Sequence, residues 1–263
     1  MVSIRLAILL GIAVTTVLGQ NPAQPSPFLN ESRETVLNSV KPAQSAANLS
    51  PEMRGDILMA RKMFREAVES YAEGPQDSPV LVNKIGIAYH QMLALDIARK
   101  FYEKAIRLNP KYSEAINNLG TVYYARKNYR RSITQYKRAL ALTPQSASIY
   151  SNLGTAYFAR KNYKMASEAY EKALSLDPEV FEHRGSHGVL LQERSVEERA
   201  KFHFYLAKTY AKAGDTERAL TYMRKCLEEG FKERDKFREA PEFAKMQEMQ
   251  EFKDLLALEP RVL

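Results

Sequence analysis

One cysteine, Cys226, stands in the 263 residues, so no internal disulfide can brace this chain and no cysteine cluster can hold a metal. The sequence also lacks a nucleophile–base arrangement and a phosphate-cradling glycine loop, which leaves no ground for catalysis or for a cofactor. Its four histidines include one close pair, His183 and His187, within His183-Arg184-Gly185-Ser186-His187-Gly188. Histidines at i and i+4 can share a metal on one helix face. Gly185 and Gly188 favour a loop instead, and no third ligand is near, so no metal site is expected. Long apolar stretches are missing too. The one apolar run, residues 6–18, falls short of the roughly 18–20 residues that a membrane span needs. Behind the basic Arg5, and ahead of small Val17 and Gly19, it reads as a secretory signal peptide over residues 1–19. No cysteine follows it for lipid attachment, and the expected location is periplasmic or secreted. Export in turn disfavours nucleic acid as a partner.

What is present is a repeat. Gly86, Gly120 and Gly154 are 34 residues apart, and the same step relates Tyr89, Tyr123 and Tyr157. It also relates Tyr102, Tyr136 and Tyr170, then Ala105, Ala139 and Ala173, and Pro110, Pro144 and Pro178. Residues 113–146 and 147–180 are identical at fifteen of 34 positions. A fixed period of this length marks stacked supersecondary units. Within each unit, positions 4, 7, 8 and 11 fall on one stripe of an α-helix, and positions 20, 24 and 27 form the matching stripe of a second. Small residues at 8 and 20 let two backbones approach, tyrosines at 11 and 24 fill the remaining space, and proline at 32 ends the second helix.

With Val82, Ile85, Gly86, Tyr89, Ala98, Tyr102, Ala105 and Pro110 in its first clear unit, the chain resembles the tetratricopeptide repeat family, in a bacterial-type exported form. The resemblance implies an all-α, right-handed solenoid of antiparallel helix pairs. Units are expected at 48–78 (degenerate, cut short by Gly74-Pro75), 79–112, 113–146, 147–180 and 200–233 (divergent). A flexible leader covers 20–47, an insertion with a short helix from Val189 to Glu198 covers 181–199, and capping helices close 234–263. Cys226 falls on a small core position of the last unit, as a structural thiol.

The resemblance further implies a concave groove lined by first helices, in which positions 2, 5, 6, 9, 12 and 13 can meet an extended peptide. Those positions give Asn83 and His90, then Asn117, Asn118, Thr121 and Tyr124, then Ser151, Asn152, Thr155 and Phe158. Amides pair with a peptide backbone and rings cover its side chains. Asn118 and Asn152 resemble two rungs of the asparagine ladder in O-GlcNAc transferase repeats, with Lys84 and Tyr205 in place of the others. The clamp that holds a terminal carboxylate in chaperone adaptors is absent.

The formal charge is +8. Part of the excess gathers in Arg126, Lys127, Arg130 and Arg131 and again in Arg160, Lys161 and Lys164. This is either a solvated face or a surface drawn to acidic partners, phospholipid or lipopolysaccharide. Two binding modes follow: a protein or peptide partner in the groove, or an assembly scaffold acting through the basic outer face. An enzyme using the insertion is the remote third. The register itself is testable: Gly120→Leu is expected to cost about 1–3 kcal/mol or more by overpacking, read by urea denaturation.

Overall fold

The computed structural model of the protein describes residues 49–182 and 195–258. Every regular element among them is helical. The elements are α1 (Pro51–Ala60), α2 (Phe64–Ala72), α3 (Pro79–Gln91), α4 (Leu95–Leu108), α5 (Ser113–Ala125), α6 (Tyr129–Leu142), α7 (Ala147–Ala159) and α8 (Tyr163–Leu176). After the undescribed residues 183–194 come α9 (Val196–Ala213), α10 (Thr216–Glu228), α11 (Lys236–Glu239), a 3-10 turn (Pro241–Met246) and α12 (Gln250–Ala257). From α1 to α9 each helix packs on its partner within a pair and on the helix that follows, α10 packs on α12, and the first helices α3, α5 and α7 also touch in succession. This is an all-α solenoid of consecutive helix pairs.

Local chemistry sets the ends of the helices. The hydroxyls of Ser50, Ser78 and Ser195 accept hydrogen bonds from the N–H groups of Met53, Leu81 and Glu198. Pro51 and Pro79 occupy the first turns of α1 and α3, where no N–H is needed. The long second helices stop at Leu108, Leu142 and Leu176, two residues before Pro110, Pro144 and Pro178. The intervening Asn109 and Asp177 are extended, the conformation a following proline imposes. Ser195 places the start of α9 at Val196, so this helix includes residues expected to belong to the insertion. The rest of the expected 189–198 helix, with His183 and His187, lies outside the described residues, as do residues 1–48.

The units are held shut by one recurring contact. A Cβ added at Gly86 would lie 2.6 Å from the ring of Tyr102, at Gly120 2.7 Å from Tyr136, and at Gly154 2.5 Å from Tyr170. Gly55 stands in the same relation to Tyr71. All four rings are buried. The fifth unit solves the same problem with another pair, for Ala207 replaces the glycine and Met223 replaces the ring, both fully buried. A slim, flexible thioether leaves room for the extra methyl. Beyond it, Phe204, Phe231, Phe237, Phe243 and Phe252 form a continuous run of ring contacts that carries the core into the C-terminal turns. Cys226 is fully buried there, and burial pushes its thiol pKa up, out of the nucleophilic range.

This exchange predicts a compensation. Gly120→Ala alone should lose about 1–3 kcal/mol in urea denaturation, through collision with Tyr136. Adding Tyr136→Met should recover part of that loss, and a double variant weaker than the sum of the two single changes would refute the pairing.

Candidate functional site

The first helices bring the groove asparagines together, but they turn them towards each other. Asn118 Nδ2 donates to Asn83 Oδ1 at 3.1 Å, and Asn152 Nδ2 donates to Asn117 Oδ1 at 3.2 Å. Each rung runs from position 6 of one unit to position 5 of the unit before. Lys84, also at position 6, reaches back in the same way, with Glu52 Oε1 and Asp56 Oδ2 both at 2.7 Å from its Nζ. Burial works to lower the Lys84 pKa, and the hydrogen bonds that its ammonium donates to Asp56 and Glu52 outweigh it and leave the value raised. At the fourth junction position 6 is Tyr205, and there the rung is replaced by ring contact with Tyr163 at 4.8 Å and with Phe158 at 5.9 Å.

These bonds change the expected groove. Asn83 is 0% exposed and also donates to Glu114 Oε1 at 3.0 Å. Asn117, Asn152, Thr155 and Phe158 are buried as well. Thr121 and Thr155 each accept the phenol hydrogen of the tyrosine at position 24, from Tyr136 at 3.2 Å and Tyr170 at 3.3 Å. Both threonines donate to the carbonyl four residues back, Asn117 and Ser151. Burial pushes the Tyr136 phenol up to about 12, so it stays a donor at any physiological pH. Asn118, Thr121, Tyr124, Ser151 and His90 keep partial exposure. His90 is held down by burial and is neutral near pH 7. Five of the ten expected groove residues are thus interior: Asn83, Asn117, Asn152 and Phe158 join one unit to the next, and Thr155 holds the tyrosine of its own unit.

The basic residues fare differently. Arg126, Lys127, Arg130, Arg131, Arg160, Lys161 and Lys164 are all exposed. Arg126 Nη1 pairs with Asp96 Oδ1 at 2.5 Å, across to the preceding unit. Arg131 lies over the ring of Tyr123 at 5.7 Å. Among the described residues, Lys127, Arg130, Arg160, Lys161 and Lys164 have no carboxylate within ion-pair distance. Arg126, Lys127, Asn128, Tyr129, Arg130 and Arg160 line an open depression of about 500 Å³ at the turns of units three and four.

The turns that carry these cations share one unusual backbone. Lys127 has φ +58° and Lys161 φ +59°, in the left-handed region. The Lys127 N–H bonds to Tyr124 O and the Asn128 N–H to Tyr123 O, both at 2.8 Å, the double closure of a Schellman cap. Asn128 then caps α6 by accepting from the Arg131 N–H. Lys62 and Leu93 hold the same place in units one and two, at φ +60°. Unit five uses Gly214 there, at φ +83°. A side chain in this conformation costs about 1–2 kcal/mol relative to glycine. Sequence reading found the cations but missed the strain under them. The signal was available, since Gly214-Asp215 aligns with Lys127-Asn128 and Lys161-Asn162.

Two measurements check this geometry. Lys127→Gly and Lys161→Gly should each raise stability by about 1 kcal/mol in urea denaturation. Asn152→Ala should lower it by about 1–3 kcal/mol, because the buried Asn117 amide loses its partner.

Five family models described as TPR or tetratricopeptide repeats match residues 81–112, 101–134, 120–159, 147–180 and 203–229. Among curated relatives, the uncharacterized protein ycf37 of Porphyra purpurea is 30% identical over 84 residues, covering 27% of this chain and 49% of that protein. The chloroplastic tetratricopeptide repeat domain-containing protein PYG7 of Arabidopsis thaliana is 32% identical over 68 residues, covering 26% and 23%. The chain spans about half or less of the length of these relatives. Among solved structures, MamA 41-end from Desulfovibrio magneticus RS-1 aligns over 68% of this chain and 92% of its own, with TM-score 0.48 and 22% identity. A further MamA crystal structure aligns over 66% and 93%, with TM-score 0.47 and 22% identity. The matches over 81–112 and 147–180 end where the glycine–tyrosine units at 79–112 and 147–180 end, and the chain carries tetratricopeptide repeats.

Proposed function

We propose that the chain is a non-enzymatic scaffold whose protein partner seats on the basic turn edge of units three and four. Tetratricopeptide repeats generally mediate protein–protein interaction. The observation that carries the choice of face is the contrast between the two candidate surfaces. The groove amides bond across unit junctions, whereas Lys127, Arg130, Arg160, Lys161 and Lys164 are exposed and unpaired among the described residues. Two of these lysines occupy left-handed positions where glycine would be more stable. Strain of this kind clusters at sites where a side chain is needed for something other than folding.

The edge suits an acidic partner. Exposed like charges gathered on one edge raise the local potential, steer association and lose their effect as salt rises. The secretory signal expected at residues 1–19 supports placing this interaction in a cell envelope. The half-exposed Asn118, Tyr124 and Ser151 support a second reading, in which an extended peptide enters what remains of the groove.

Affinity capture from native envelope extract separates the two. Arg130→Glu with Arg160→Glu and Lys164→Glu should lose the partners that the parent chain retains, and 0.5 M salt should release them. Asn118→Ala with Asn152→Ala should retain them once its lower stability is allowed for. The opposite pattern assigns the function to the groove.

A further inference from the structure

The turn edge is not basic along its whole length. At the position where units three and four carry Lys127 and Lys161, unit two carries Leu93, and its side chain is 71% exposed at φ +60°. Ile97, four residues on, is 42% exposed, and Met63 on the neighbouring turn of unit one is 39% exposed. A leucine here is doubly unfavourable. Its backbone would relax as glycine, and its side chain would be better as a polar group. Neither the Schellman closure, which uses only the Leu93 and Ala94 N–H groups, nor the core beneath it needs an isobutyl group.

Leu93 is also fixed relative to the cations. Asp96, in the first turn of α4 just after it, pairs with Arg126 of the next unit. Leu93 therefore stands on the turn of unit two, next in the array to the turn of unit three that carries Lys127 and Arg130. The depression beyond it is shallow and open, with an amide and a phenol among its cations.

We infer that the turn edge recognises an acidic peptide segment that also bears an apolar side chain, with Leu93 and Ile97 receiving the apolar group and Arg130, Arg160 and Lys127 the acidic one. This rests on the turn edge being the docking surface and adds the chemistry of the partner. Tetratricopeptide repeats generally engage protein, which favours a peptide segment over a lipid surface. Charge alone would attract any anion, whereas an apolar anchor beside the cations selects among acidic segments.

Fluorescence anisotropy with a labelled synthetic peptide, a leucine beside a glutamate run, tests the inference on the full chain. The parent should bind it in low salt. Leu93→Gly should weaken binding about tenfold, the effect of leaving one apolar side chain uncovered, while melting at or above the parent temperature. Arg130→Glu with Arg160→Glu should abolish binding. If charge reversal abolishes binding and Leu93→Gly leaves it unchanged, the apolar anchor is refuted and the basic edge stands. If neither change matters, or the parent does not bind, both readings fall. Sedimentation with phosphatidylglycerol vesicles, positive where the peptide is negative, overturns the peptide in favour of a membrane surface.

Discussion

The close approach of a glycine backbone to a tyrosine ring governs this molecule. With a hydrogen in place of a methyl at Gly55, Gly86, Gly120 and Gly154, the two helices of a unit come near enough for the ring at position 24 to lie flat between them. The ring is then fully enclosed, and its phenol needs a partner within the unit. In units one, three and four that partner is position 9: Asp56, Thr121 and Thr155 accept from Tyr71, Tyr136 and Tyr170. Unit two has Ile87 at position 9 and therefore no acceptor there. Steric permission at one residue thus sets the hydrogen-bonding duty of another, and removes it from any ligand surface.

This coupling explains what the sequence could and could not reveal. The period, the helix stripes, the glycines and the proline stops were legible because each belongs to a single unit and recurs. So was the shortening of α2, which ends at Ala72 just before Gly74-Pro75. The fate of the asparagines was not legible, because it depends on how one unit meets the next. Reading position 6 alone, Asn118 and Asn152 look like donors waiting for a peptide. Only when position 5 of the preceding unit is set beside them do Asn83 and Asn117 appear as their acceptors. Lys84 looked like a missing rung and turns out to be one, made of charge instead of amide.

The turns show the reverse relation between local and global. Each is closed by the same pair of backbone hydrogen bonds, whatever its side chain, so the fold places no demand on residue type there beyond tolerating positive φ. Glycine meets that tolerance best, and the chain uses it once, at Gly214. Lysine or leucine in the other four units is therefore information about the surface and not about the core. The same sites that matter least for packing are those most open to selection by a partner.

The rungs between units have a consequence for how such an array can change length. Unit three meets its predecessor with Asn118 and offers Asn117 to its successor; unit four arrives with Asn152 and is content with any amide at position 5. Were residues 113–146 excised, Asn152 would face Asn83, the same chemical joint with one tile fewer. The inner couplings are therefore interchangeable, and an ancestral array could be extended or trimmed here by recombination within the gene. The Tyr205 junction is built from stacked rings instead of amides, and the interchangeable joints end there.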